Sequence, residues 1–175
     1  GFGTGDTHQA INSFTWSPDG ELFFCQGDGI ESRVETPWGV SSLYQAGVYR
    51  LRPGRLQLHG LLDDFMGPGN PWGIVFDDWG QSLVVDGAGG ISYLTPASIP
   101  AKHRLRLDRI GNPGGYCGVE MINGRHMPES MRGQFVLNDY KSNTVRRFAL
   151  TPAGSGFKLD WKESVLKSSH RNFRP

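Results

Sequence analysis

The sequence predicts an all-β protein made of tandem four-stranded sheets. One strand–turn–strand unit recurs three times along the 175 residues. The chain contains 25 glycines and 11 prolines, and 11% of its residues are aromatic, a composition typical of short strands joined by tight turns. Helical runs are short, and the run at residues 97–104 is interrupted by Pro100.

The repeated unit occupies residues 11–24, 72–85 and 118–138. Each copy has an apolar strand, a polar turn that ends in glycine, and a second apolar strand. A β-sandwich would not repeat this arrangement so regularly. Self-similarity at a fixed period is the signature of a repeat architecture.

The turns between the paired strands have residues suited to a chain reversal. In Ser17-Pro18-Asp19-Gly20, proline supplies a φ near −65° and glycine tolerates a positive φ. Asp77-Asp78-Trp79-Gly80 makes the same reversal without proline. The third copy has a longer connection that ends at Arg132-Gly133.

Two further strands complete each unit. A third strand is expected at residues 47–51, 90–94 and 144–148, and a weaker fourth at 55–58, 104–107 and 156–161. The repeat spacing of roughly 45 to 60 residues is typical of β-propeller blades with loop insertions. We therefore predict three blades, at approximately residues 8–66, 67–110 and 111–166, with residues 167–175 leading into a further blade.

Charge and motif content exclude several classes of function. The 18 basic and 17 acidic residues nearly balance, which leaves no electrostatic footprint for nucleic acid. No apolar stretch approaches the roughly 20 residues of a membrane span. Neither a Gly-x-Ser-x-Gly elbow nor an H-E-x-x-H motif is present, so hydrolysis by those routes is not supported. Cys25 and Cys117 form no metal-type pair, and two buried thiols are favoured over a disulfide.

Candidate functional residues lie in the loops that precede the first strand of each unit, at residues 5–9, 67–72 and 111–116. In a propeller, these loops converge on one rim of the central channel. His8 is the sharpest candidate because a neutral imidazole is a natural proton acceptor. The alternative, which a lone histidine favours, is a side chain bonded to a loop carbonyl. Asn70, before Pro71, is either a ligand-binding amide or a turn former.

At these residues the chain resembles the quinoprotein sugar dehydrogenases, the soluble glucose and sorbosone dehydrogenases. Residues 8–28 are similar to their H-x-G-x-x-L-x-F-x-P-D-G-x-L-Y segment and the G-D that follows. Asn70-Pro71-Trp72-Gly73 resembles their N-P-Q-G stretch, and residues 127–139 resemble F-P-x-x-x-R-G-x-L-F-V-A-D. The resemblance is closer still to the membrane-bound dehydrogenase domain of planctomycete and verrucomicrobial proteins, and it covers nearly the whole chain.

The resemblance implies a six-bladed parent propeller that binds pyrroloquinoline quinone (PQQ) and Ca²⁺ at the rim. By matched position, His8 would take the proton of a sugar or alcohol hydroxyl while hydride passes to the quinone. Asn70 would contact the cofactor, and Lys141 and Arg174 would be cationic partners of its carboxylates. The backbone carbonyls of Gly87 and Ala88 fall where the family holds Ca²⁺.

The same resemblance carries expectations about partners and location. The electron acceptor would be a protein such as a c-type cytochrome, and a haem c domain could follow in the parent protein but not in this chain. The protein would be periplasmic or secreted.

Three departures from the family pattern keep an alternative open. Gly69 stands where the sugar dehydrogenases have an arginine, Ala10 replaces a glycine, and the acidic stretch near the calcium loop is reduced to Asp86. A non-catalytic propeller that binds glycans or protein partners is therefore the second hypothesis, and a hydrolytic or lyase propeller is the third.

Overall fold

The computed structural model describes residues 1–63, 69–87, 90–94, 115–154, 156–171, 173 and 175. Strands are the dominant secondary structure of these residues, and none of the residues forms an α-helix, as the sequence predicts. The described residues include no helix with the length and apolarity needed to cross a membrane. The strands are β1 Asn12–Trp16, β2 Leu22–Gln26, β3 Ser32–Thr36, β4 Gly39–Leu43, β5 Gly47–Arg52, β6 Gln57–Asp63, β7 Pro71–Phe76, β8 Ser82–Asp86, β9 Gly90–Leu94, β10 Tyr116–Met121, β11 Phe135–Asp139, β12 Thr144–Ala153 and β13 Gly156–Lys167.

Three antiparallel sheets follow one another along the chain. Blade 1 has the order β1-β2-β5-β6, blade 2 the order β7-β8-β9, and blade 3 the order β10-β11-β12-β13. Within each blade, strands that are neighbours in the sheet pair antiparallel, which is the up-and-down order of a propeller blade. The fourth strand expected at residues 104–107 of blade 2 lies outside the described residues.

The reversals between the first two strands form as predicted. Gly20 donates its N–H to the Ser17 carbonyl at 3.0 Å, and Gly80 donates to the Asp77 carbonyl at 3.1 Å. Both glycines have positive φ, 82° and 78°, a conformation that disfavours a side chain. The local chemistry of the turns therefore fixes the β1–β2 and β7–β8 hairpins.

Blade 1 contains an insertion that the sequence analysis did not predict. Strands β3 and β4 form a separate two-stranded hairpin between β2 and β5. Its turn is Pro37-Trp38, and the following Gly39 has a φ of 109°. The last strand of this blade also begins later than predicted, because residues 53–55 form a 3₁₀ turn and β6 starts at Gln57.

Apolar side chains from the facing sheets form the core between blades. One cluster joins Phe23, Cys25 and Val48 of blade 1 to Ile74 and Val84 of blade 2. A larger cluster lies between blades 2 and 3 and comprises Val75, Leu83, Val85, Ile91, Tyr116, Val119, Phe135, Leu137 and Phe148. The sheets thus stack face to face, and their first strands β1, β7 and β10 lie next to one another.

We expect Gly73→Ala to destabilise the contact between blades 2 and 3. A Cβ at Gly73 would lie 2.8 Å from Val85 Cγ2 and 3.1 Å from the backbone nitrogen of Val119. Overpacking of this kind costs about 1–3 kcal/mol, to be measured by denaturant unfolding. Gly54→Ala, where an added Cβ meets nothing within 4 Å, is the matched control. Equal stability of the two variants would contradict the close packing.

Candidate functional site

The described residues directly before β1, β7 and β10 lie at one end of the three blades. In each blade, the residue after the second strand donates its backbone N–H to a carbonyl in the loop before the first strand. The three bonds run from Gly27 to Gln9 at 2.8 Å, from Gly87 to Asn70 at 2.7 Å and from Tyr140 to Gly115 at 3.0 Å. This repeated bond places Gln9, Asn70 and Gly115 at corresponding positions of a common surface, which we call the rim. Residues 67–68 and 111–114 of the predicted loops lie outside the described residues.

His8 crosses from blade 1 to blade 2. Its imidazole is exposed, and the ring centroid lies 4.8 Å from that of Trp72 with the planes tilted by 47°. The loop is held by Asp6, whose Oδ1 accepts the backbone N–H of His8 at 2.8 Å. Within the described part of the chain the imidazole nitrogens make no hydrogen bond, so both are available to a ligand.

Asn70 is locked against the same indole. Its Oδ1 accepts the Nε1–H of Trp72 at 2.5 Å. A Cβ on Gly87 would lie 2.9 Å from Trp72 Cδ1 and 3.0 Å from Asn70 Nδ2, so only glycine allows this close approach. The bond through Oδ1 fixes the orientation of the amide and leaves its Nδ2 as the donor for a ligand.

Tyr140 connects blade 2 to blade 3. Its hydroxyl donates to the Gly87 carbonyl at 3.3 Å, and the Lys141 ammonium lies 6.0 Å from the Tyr140 ring centroid. These contacts form a continuous arc across three blades, which we call the rim arc. It consists of His8, Trp72, Asn70, Gly87, Tyr140 and Lys141. Ala88 and Arg174, the other predicted site residues, lie outside the described residues.

Asp139, which the sequence analysis did not single out, organises the blade 3 end of the arc. It is fully buried, and its Oδ1 accepts the N–H groups of Gly115 at 3.3 Å and of Lys141 and Ser142 at 3.2 Å. Its Oδ2 lies 2.9 Å from the Nε of Arg146, an ion contact without good hydrogen-bond angles. The carboxylate thus positions the loop that carries Lys141.

The equivalent positions of the other blades are also buried and polar. Gln26 ends β2, and its Nε2 donates to the carbonyls of Ile30 and Gln45, both at 2.9 Å. Asp86 ends β8, and its Oδ2 accepts the N–H of Gly69 at 3.1 Å. In all three blades a polar residue ends the apolar second strand. This recurrence was the sequence signal that could have identified Asp139.

Burial keeps the Tyr116 phenol and the Cys25 thiol neutral. It raises the pKa of the Tyr116 phenol to about 12, with Arg146 opposing and Asp139 reinforcing the shift. It also raises the pKa of the Cys25 thiol to about 12. Both cysteines are free thiols, so the disulfide alternative is not observed. Neither the Tyr116 phenol nor the Cys25 thiol is therefore a nucleophile near neutral pH.

The rim arc fits a planar anionic cofactor better than it fits a calcium ion. The Trp72 indole offers an aromatic face, Asn70 an amide donor and Lys141 a positive charge. Calcium needs six to eight oxygen ligands, whereas the Gly87 carbonyl already accepts the Tyr140 hydroxyl and the Asp86 carboxylate accepts Gly69. The described residues contain no group of three or more His, Cys, Asp or Glu side chains able to hold a metal.

The profile of a family described as a domain of unknown function, DUF7133, matches residues 1–98, more than half of the chain. The chain belongs to this family. In this DUF7133 chain, the match includes His8, Asn70, Trp72 and Gly87, whereas Tyr140 and Lys141 lie beyond it.

A solved structure of a candidate gluconolactonase has the same fold as the DUF7133 chain. The TM-score is 0.54 at 20% sequence identity, over 91% of this chain and 49% of that chain. The chain therefore spans about half the length of that structure. The likeness confirms the predicted β-propeller architecture. No protein of curated function matches the chain.

Proposed function

We propose that the rim arc is the redox site of a quinone-dependent dehydrogenase that oxidises a sugar or another alcohol. The observation that carries the proposal is the arc itself, because it brings an imidazole, an amide held by an indole, and an ammonium group from three blades onto one surface. A titratable base, an aromatic wall and a few convergent polar groups are the ordinary components of a cofactor site.

The chain's residues suit PQQ, which is planar and carries three carboxylates. Lys141 would pair with a carboxylate, and the Asn70 Nδ2 would donate to the ring system beside Trp72. Arg174 is proposed as a second cationic partner. When bound, the quinone supplies the two-electron acceptor that no side chain provides, while the protein supplies position and charge.

His8 would act as the general base. Its exposed imidazole would accept the proton of the substrate hydroxyl. A bound quinone would supply the hydride acceptor, so that the alcohol would become a carbonyl. The Asp6 bond to the His8 backbone and the Trp72 ring restrict where the imidazole points. Positioned proton transfer of this kind contributes about 10²–10⁴-fold to a rate.

The remaining parts of the proposal concern calcium and the full protein. Calcium at the Gly87 and Ala88 carbonyls would have to share the Gly87 carbonyl with the Tyr140 hydroxyl and would need ligands from beyond the rim arc. No step assigned to His8, Asn70 or Lys141 depends on it. The full protein would be a six-bladed propeller in the periplasm or outside the cell, passing electrons to an acceptor such as a c-type cytochrome.

Binding of PQQ to the intact protein, with and without Ca²⁺, tests the proposal. We expect a rise in Tm, since a ligand at 100 times its Kd stabilises the folded state by about 2.7 kcal/mol. Lys141→Gln should weaken PQQ binding about tenfold or more, because a hydrogen bond to a charged group contributes about 1.5–3 kcal/mol. Lys158→Gln, an exposed lysine on β13, is the control. An unchanged Tm with PQQ would refute the proposal.

One observation favours the alternative of a non-catalytic binding module. Gly69 stands where the quinoprotein sugar dehydrogenases have an arginine. It donates its backbone N–H to Asp86, so no side chain reaches the rim from this position. If the intact protein binds glycans but neither binds PQQ nor reduces a dye with any sugar, this alternative replaces the dehydrogenase.

A further inference from the structure

We propose a second ligand site, for a neutral β-linked glucan chain, in the groove between blades 1 and 2 at the end opposite the rim. Residues 17–19 and 78–80, from the turns of the β1–β2 and β7–β8 hairpins, form its walls, and its volume is about 540 Å³. Small-molecule sites span roughly 300–1,000 Å³. The groove shares no residue with the rim arc, so the inference does not rest on the proposed dehydrogenase.

The floor of the groove is apolar. Phe23 of blade 1 and Phe76 of blade 2 meet edge to face with centroids 4.8 Å apart, and Leu61 and Tyr93 extend this surface. The floor therefore belongs to the contact between two blades, which gives the groove a preformed shape. Preformed sites bind with less loss of conformational entropy than sites that must first order.

Trp79 supplies an aromatic wall that the turn does not require. Its side chain is 87% exposed, while its backbone N–H is bonded to Asp77 Oδ1 at 2.9 Å. The geometry of the turn accounts for Asp77 and Gly80. It does not require a tryptophan at residue 79, because the first turn has Asp19 at the corresponding position. A large exposed indole beside a cavity is the residue type that binding sites use for contact area.

Polar groups converge on the groove around this aromatic wall. Asp19 and Asp78 lie on its two walls, and Arg50 lines it from β5. Glu21 holds Arg50, with its Oε2 3.3 Å from the arginine Nε, and also pairs with Arg52. The lining thus carries three carboxylates and one guanidinium, a balance that disfavours an anionic ligand.

A β-linked glucose unit matches this combination. Its equatorial hydroxyls form a polar edge that can donate to Asp19 and Asp78 and accept from Arg50. The C–H faces of the pyranose ring are apolar and flat enough to stack on the Trp79 indole. Because uronic acids would meet excess negative charge, the neutral chain is the expected ligand.

Cellotetraose binding to the intact protein, followed by calorimetry, tests this site. We expect Trp79→Ala to weaken binding at least about tenfold and Trp79→Phe to weaken it less, because the phenyl ring retains an aromatic face. Trp38→Ala removes an indole of similar exposure, 64%, on the β3–β4 hairpin and should leave the affinity unchanged. His8→Ala should also leave it unchanged, which separates the groove from the rim.

Three results would overturn the inference. They are no cellotetraose binding up to about 10 mM, equal affinity of the Trp79→Ala variant, and preferential binding of a polygalacturonate tetramer. Circular dichroism of each variant confirms that the fold is retained.

Discussion

Replacing His8 by alanine is expected to lower the kcat of sugar-dependent dye reduction by about 10²–10⁴-fold, the usual contribution of a general base. The imidazole is exposed and contacts Trp72, so its loss should change the free energy of unfolding by less than about 1.5 kcal/mol. PQQ affinity should change little, because Asn70 and Lys141 are the groups proposed to hold the cofactor. The expected signature is therefore a fall in kcat with the cofactor still bound.

The control for this variant is His126→Ala. His126 is exposed in the connection between β10 and β11, at the end of blade 3 opposite the rim. The His126→Ala variant should retain full turnover. If His8→Ala retains turnover as well, the base is another residue, and the role proposed for His8 is wrong.

Asp139→Ala is expected to produce the largest loss of stability, about 3–5 kcal/mol in the free energy of unfolding. The substitution leaves the mostly buried Arg146 without its carboxylate and removes the acceptor of three backbone N–H groups. The loop that carries Tyr140 and Lys141 should loosen, and PQQ binding should weaken with it. Denaturant unfolding and a PQQ titration measure the two effects.

A second carboxylate provides the matched control. Asp160 on β13 pairs with Lys162 at an exposed position, and Asp160→Ala should cost no more than about 1 kcal/mol. Asp139→Asn keeps the Oδ1 acceptor and loses the charge, so the stability of this variant should fall between those of the Asp139→Ala and Asp160→Ala variants. Equal stability of the Asp139→Ala and Asp160→Ala variants would show that the buried carboxylate does not organise blade 3.

Local chemistry made much of the fold predictable. The turns ending in Gly20 and Gly80 need a positive φ, and residues suited to that geometry stand in the sequence at the repeat spacing. The β3–β4 hairpin escaped prediction because its strands are short and largely polar and its Pro37-Trp38 turn lacks the usual Asn-Gly signal. An insertion of this kind interrupts the repeat without changing the order of the blade strands.

The candidate site was predictable only in part. The repeat placed His8 and Asn70 in corresponding loops, and the structure puts both against Trp72. The bond from Tyr140 to Gly87 and the burial of Asp139 depend on how separate blades stack. No local pattern encodes such long-range contacts, so the arc became visible only in three dimensions.

The most direct test of the rim as a dehydrogenase site is the absorption spectrum of the intact protein loaded with PQQ and Ca²⁺, recorded without oxygen while sugars and simple alcohols are added in turn. The proposal predicts that at least one substrate converts the bound quinone to its reduced form in a single turnover, and that His8→Ala slows this conversion by about 10²-fold or more. A quinone that binds but stays oxidised with every substrate would contradict the assignment.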